Sequence, residues 1–234
     1  LIGKNGVTTD GTGKVTLTAA TDLVAQSAAG AIDLSNTKAT ITAGGTEELT
    51  GQSIHLYKLD ANAAKLTATA GDIAFAGPLL TKTSLTAQAS GSITAGNGAA
   101  IGDSNSTGSL TLTAGRDIIL RDVNAGAANL TATNGSIGLN GATNVQSLTA
   151  KAGGDISLNN DRQITRTNSL SAEAGGDIMV DQTLLVKGMA DFKANGALKL
   201  NGATQMQKLN AQVGQSITST KYVSVKISDD LKGS

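Results

Sequence analysis

Four aspartates stand directly before an isoleucine in this 234-residue chain: Asp72, Asp117, Asp155 and Asp177. Ser92, Ser136 and Ser216 take the same place in related segments. Two carboxylates held close together repel unless they share a proton or a cation. Asp155 and Asp177 are therefore the candidate metal pair. A bound Ca²⁺ takes about six to eight oxygens, more than two isolated carboxylates supply. The preferred reading is a set of hydrated turn aspartates beside glycine, with no metal and no other cofactor expected.

His55 is the only histidine, so any Ser/His/Asp relay would have to use it. In SIHLY, Ile54 and Leu56 alternate with it, which turns His55 outward as a solvated strand residue. One histidine without cysteine cannot furnish the usual zinc ligands. Glycoside chemistry needs at least paired carboxylates. The four arginines, Arg116, Arg121, Arg162 and Arg166, group near Asp117, Asp122 and Asp161 in sequence. With no Trp, two Phe and two Tyr, the chain offers no obvious aromatic platform for a sugar, and catalysis is not expected. Thr-x-Thr recurs at Thr67/Thr69, Thr111/Thr113 and Thr131/Thr133. A flat ice-like lattice needs an unbroken stack, and TAQ, TAK and SAE interrupt it.

These residues ride on a repeat. LTATAGDIAF from Leu66 returns as LTAQASGSITA from Leu85, LTLTAGRDIIL from Leu110 and LTATNGSIGL from Leu130. It continues as LTAKAGGDISL from Leu148 and LSAEAGGDIMV from Leu170, then as FKANGALKL from Phe192 and LNAQVGQSI from Leu209. The residue after the corner falls at Ile32, Ile54, Ile73, Ile93, Ile118, Ile137, Ile156, Ile178, Leu198 and Ile217. The spacing is 19 to 25 residues, centred near 20. A longer echo links LNGATNVQSLTA at 139–150 with LNGATQMQKLNA at 200–211, an offset of three repeats.

Within LTATA, Leu66, Ala68 and Ala70 alternate with threonine, the period-two pattern of a strand with one buried face. Ile73 and Phe75 share a face in the next piece. Each repeat thus holds two or three short strands and no helical stretch. Such a unit cannot bury its apolar face alone, and stacking the units forms parallel strands about 4.8 Å apart along a common axis. The expected fold is all-β: a parallel β-helix of about ten turns, one segment spanning 1–234. Residues 1–48 are its less regular turns, 49–217 its regular repeats and 218–234 a terminal turn or tail. Gly71, Gly91, Gly115, Gly135, Gly154, Gly176, Gly196 and Gly214 mark the corners, where positive φ is open to glycine. The 14 residues 96–109 lack apolar periodicity and read as a loop bulging from one corner.

Composition fits this scheme. The 29 glycines and scarce aromatics leave Leu, Ile, Val and Ala to fill a narrow interior. Disorder is disfavoured, because the net charge is zero and the apolar residues keep register. Balanced charge gives no basic stripe for nucleic acid. No apolar run reaches the roughly 18 residues of a membrane-spanning helix. The opening LIGKNGVTTDGTGK has no apolar stretch and does not read as a signal peptide, so an exported parent would carry this chain as an internal segment. The leucine-rich LxxLxLxxN pattern and tandem calcium nonapeptides are both absent.

The recurring LTAxAGDIxL resembles the haemagglutinin repeats of filamentous-haemagglutinin-like exoproteins, the long partners of bacterial two-partner secretion, which include contact-dependent growth inhibition proteins. The resemblance runs from Leu49 to about Ile217. It implies a right-handed parallel β-helix, export through an outer-membrane barrel transporter and a fibre on, or shed from, the bacterial surface. A cysteine-free chain suits passage through a narrow pore before folding. NPNL-like and NPNG-like secretion motifs and a carboxy-terminal toxin module are not found. The function expected is a non-catalytic, monomeric shaft that projects a distal module. The alternative is a segment that itself binds a host or neighbouring-cell receptor or a glycan, with a polysaccharide lyase or hydrolase third.

Overall fold

A computed structural model describes residues 2–3, 7–8, 15–36, 39–102, 108–159 and 164–225. All of its regular structure is strand, wound as a parallel β-solenoid with two sheets of fifteen and eleven strands. Every pairing is parallel, and each strand pairs with its equivalent one coil away.

Ten three-residue strands and the two-residue Val7–Thr8 form the smaller sheet. Their first residues make one unbroken column, Ile32, Ile54, Ile73, Ile93, Ile118, Ile137, Ile156, Ile178 and Leu198, all buried. Ile217 continues the register, but it is 53% exposed because no described short strand stacks beyond it. The larger sheet holds strands of up to 13 residues, such as Ala39–Gly51, Leu59–Ala68 and Thr183–Ala194. The two inner faces meet in one continuous aliphatic core.

The third short piece of each repeat and the LTAxA piece are mostly one strand. The strand bends where its register slips, between Ala43 and Thr46, between Thr81 and Ser84, and between Val186 and Met189. An extra residue on one strand is the device that bends a ladder. In three coils the pieces stay separate, as Val15–Ala19 with Leu23–Ser27, Ala100–Ile101 with Ser109–Ala114 and Ile164–Thr167 with Ser169–Ala174.

The expected loop at 96–109 is partly core. A turn brings the Ala99 N–H to the Gly96 carbonyl at 3.1 Å, and Ala99 and Ile101 are buried. Ile101 fills the column between Leu79 and Val123. Residues 103–107 lie outside the described residues. The apolar pattern is too short to announce itself, since a single buried pair has no periodicity.

Candidate functional site

The corner before each short strand carries the Asp and Ser residues that the repeat singles out. Their side chains do not point idly into solvent. Asp72 Oδ1 accepts the Ser92 N–H at 2.7 Å, and Ser92 Oγ accepts the Asp117 N–H at 3.4 Å. Asp117 Oδ1 accepts the Ser136 N–H at 2.8 Å, and Ser136 Oγ accepts the Asp155 N–H at 3.0 Å. Asp155 Oδ1 then takes the Asp177 N–H at 2.7 Å, and Asp177 Oδ1 the Ala197 N–H at 2.8 Å. One side-chain-to-backbone ladder therefore climbs the corner from Asp72 to Ala197. The carbonyls of the same corner residues accept from the isoleucine N–H of the preceding coil, as Asp155 does from Ile137 and Asp177 from Ile156, both at 2.9 Å. Asp22 and Asp122 repeat the cap elsewhere, toward Thr46 and Ala142.

This ladder corrects the reason for the corner glycines. Positive φ among the described residues is confined to Gly98 and Gly102. At Gly91, Gly135, Gly176 and Gly196 a Cβ would overlap the Oδ1 of Asp72, Asp117, Asp155 and Asp177, each one coil earlier. At Gly154 it would sit 2.6 Å from Ser136 Oγ. Gly115 and Gly214 would strike the carbonyls of Ser90 and Asn195. The glycine is there because the neighbouring coil's carboxylate or carbonyl passes through the space of its side chain.

Asp155 and Asp177 do lie on successive coils, but Asp155 Oδ1 and both Asp177 oxygens have protein partners. Asp155 Oδ1 and Asp177 Oδ1 hold backbone N–H groups, and Asp177 Oδ2 holds Lys199 Nζ at 2.7 Å. The Ala197 N–H, then Lys199, hold the Asp177 carboxyl below its ordinary value, and Asp177 in turn raises Lys199. No group of three or more His, Cys, Asp or Glu able to hold a metal occurs among the described residues. The geometry is that of a structural cap.

His55 faces outward between buried Ile54 and Leu56 and stands beside Asp33 of the preceding coil. Burial opposes ionisation of Asp33, but hydrogen bonds from Ser35 and the charge of His55 outweigh it and hold the carboxyl below its ordinary value. Of the arginine group, Arg116 and Asp117 precede the strand Ile118–Leu120, Arg121 follows it, Asp122 begins the long strand Asp122–Ala132, and Arg166 lies on that same larger sheet beside Asn144. Asp161 and Arg162 are outside the described residues. The Thr-x-Thr pairs are staggered, because Thr111 registers with Asn129 and Thr67 with Gln88. The outward face instead carries ion pairs between coils, Lys65–Glu48 at 2.9 Å and Lys151–Glu173–Lys193 at 3.2 and 2.9 Å.

Two features escape a reading of the sequence. Tyr222 is 79% exposed and flanks a shallow recess lined by Thr183, Leu185, Gln205 and Ser224, with no acid or base on its walls. Glu47 is fully buried among aliphatic side chains. Counting back by two from Leu49 in TEELTG turns Glu47 inward, but an acid is not sought in a core position.

The fold and these corners define a parallel β-solenoid whose coils are stitched by side-chain caps. Comparisons with protein-family models, with curated proteins and with solved structures return no match to this chain.

Proposed function

We propose that the chain is a non-catalytic shaft segment of a large secreted bacterial surface protein of the filamentous-haemagglutinin-like type. In this reading its parent leaves the cell through an outer-membrane barrel transporter, and the segment holds a distal binding or toxin module away from the surface as a monomeric rod. The observation that carries the reading is the unbroken isoleucine column from Ile32 to Leu198, which makes one rigid axis out of a repeat resembling that family's. The eleven short strands imply a rod of about 50 Å, at ~4.8 Å per coil. Backbone and corner side chains are occupied in joining coils, as suits a spacer.

The test is surface display of the chain between an anchor and a reporter domain. Removing coils should shorten the reporter's reach without changing what the cells bind. Binding of the isolated chain to cells or glycans would instead favour direct adhesion. The feature supporting that second reading is exposed Tyr222 beside the hydroxyl and amide groups of Thr183, Gln205 and Ser224, a setting that suits a neutral sugar. Adhesion through that recess would be lost in Tyr222→Ala. Turnover of an acidic polysaccharide, lost on mutating Arg116–Asp122, would overturn the non-catalytic reading.

A further inference from the structure

Glu47 stands where other coils hold leucine or alanine. Its column runs Leu23, Glu47, Ala64, Leu85, Leu110, Ala128, Leu148 and Leu170. The side chain is 0% exposed, and neither carboxylate oxygen has a hydrogen-bond partner. A carboxylate in such a place gives up its charge, because desolvation penalises the ionised form. Burial alone pushes the Glu47 carboxyl up to about 8.

Among the described residues, no charge on the surrounding strands compensates. Leu23–Ser27, paired on one side, has no ionisable side chain. Leu59–Ala68, paired on the other, carries Asp60 and Lys65 on its outward face, where Lys65 is held by Glu48 at 2.9 Å. The nearby short strands Ile32–Leu34 and Ile54–Leu56 carry Asp33 and His55, each outward between two buried residues. Asp22, at the preceding corner, is exposed and bound to the Thr46 N–H.

We propose that Glu47 is a proton-operated latch within the solenoid: neutral, it occupies a leucine site and lets the strands 23–27, 39–51 and 59–68 stack; ionised, it opens that stack while the coils beyond Leu79 stay wound. Locality follows from the architecture, since a solenoid's stability is a sum of repeat and nearest-neighbour terms. The direction follows from proton linkage. The folded coil binds this proton more tightly than the open one, whose carboxyl has the ordinary value of 4.5. Closure is complete below that value, weakens as pH rises and has lost its proton-linked part by about 8.

Hydrogen exchange of the whole chain between pH 5 and pH 9, corrected for intrinsic rates, tests this. The amides of 39–51 should lose about a hundredfold or more in protection relative to those of 110–194, because between the open and folded values each tenfold fall in proton concentration favours opening about tenfold. Glu47→Gln and Glu47→Leu should abolish that difference. The leucine variant serves if the glutamine variant does not fold, because leucine fills most of this column, at Leu23, Leu85, Leu110, Leu148 and Leu170. Parallel pH profiles for the two regions, or a wild-type profile in both variants, would overturn the latch. So would a Glu47 carboxyl resonance that titrates near 4.5.

Discussion

At the scale of single residues, the corner is a contract between adjacent coils. The Asp177 N–H is a donor that must find a partner once the next coil covers it, and Asp155 provides it at 2.7 Å. The carboxylate reaches that donor only by crossing the space above Gly176. Gly176→Ala should therefore push Asp155 off its donor and cost about 1.5–3 kcal/mol, the range for losing a hydrogen bond to a charged group. Asp155→Ala should cost a similar amount by the same loss. The double variant should be less destabilised than the sum, because the methyl no longer meets a carboxylate; urea midpoints of the four proteins measure this coupling. Asp177 adds a pH signature. Its folded carboxyl lies below the ordinary 3.8, so its contribution is present above that value and is lost as pH falls through the lower, folded value. Acid titration of stability should show this loss in the native protein and lack it in Asp177→Asn.

At the scale of the strand, the repeat fills its interior by pairing large with small. Neighbouring inward positions read Ala64 and Leu66, Leu85 and Ala87, Ala128 and Leu130, Leu148 and Ala150, and Ala190 and Phe192. A close-packed core penalises both a void and an excess methylene. Phe192→Ala should cost about 3–5 kcal/mol, and Ala190→Leu alone about 1–3 kcal/mol by overpacking. Combined, they recreate the order of Leu148 and Ala150, so thermal unfolding should show the pair less damaged than the single Phe192→Ala. This alternation is why so much of the fold is legible in the sequence. Ile73 with Phe75, and Leu66 with Ala68, announce their inward face by period two alone. What the pattern cannot announce is decided by the neighbouring coil. The bend at Thr81–Ser84 joins two pieces into one strand only because Leu59–Ala68 lacks the extra residue. Ile101 is core only because Leu79 and Val123 leave a place for it. The corner glycines are evident in the repeat but their cause is not, since the oxygen that excludes their Cβ belongs to a residue about 20 positions earlier. The capping role of Asp155 and Asp177 is likewise not legible, because the donors their Oδ1 atoms hold are backbone groups, which side-chain types do not reveal.

At the scale of the whole molecule, every column is continued by a residue one period away, so length is nearly a free variable. The cut that tests this keeps all columns in register. Deleting residues 137–155 places Ser136 directly before Ile156, restoring the Ser-Ile corner found in the native coil. Ile156 then takes the place of Ile137 above Ile118, and Ser136 Oγ meets the Asp177 N–H instead of that of Asp155. The shortened protein should fold, lose about 4.8 Å of length by small-angle scattering, and keep its strand-dominated circular dichroism. Removing only residues 137–145, less than half a coil, should instead shift inward residues onto the outward face of every strand it joins and abolish cooperative unfolding. If both deletions unfold alike, coils are not interchangeable units and a shaft of adjustable length is excluded. If both fold alike, the columns are not what holds the rod.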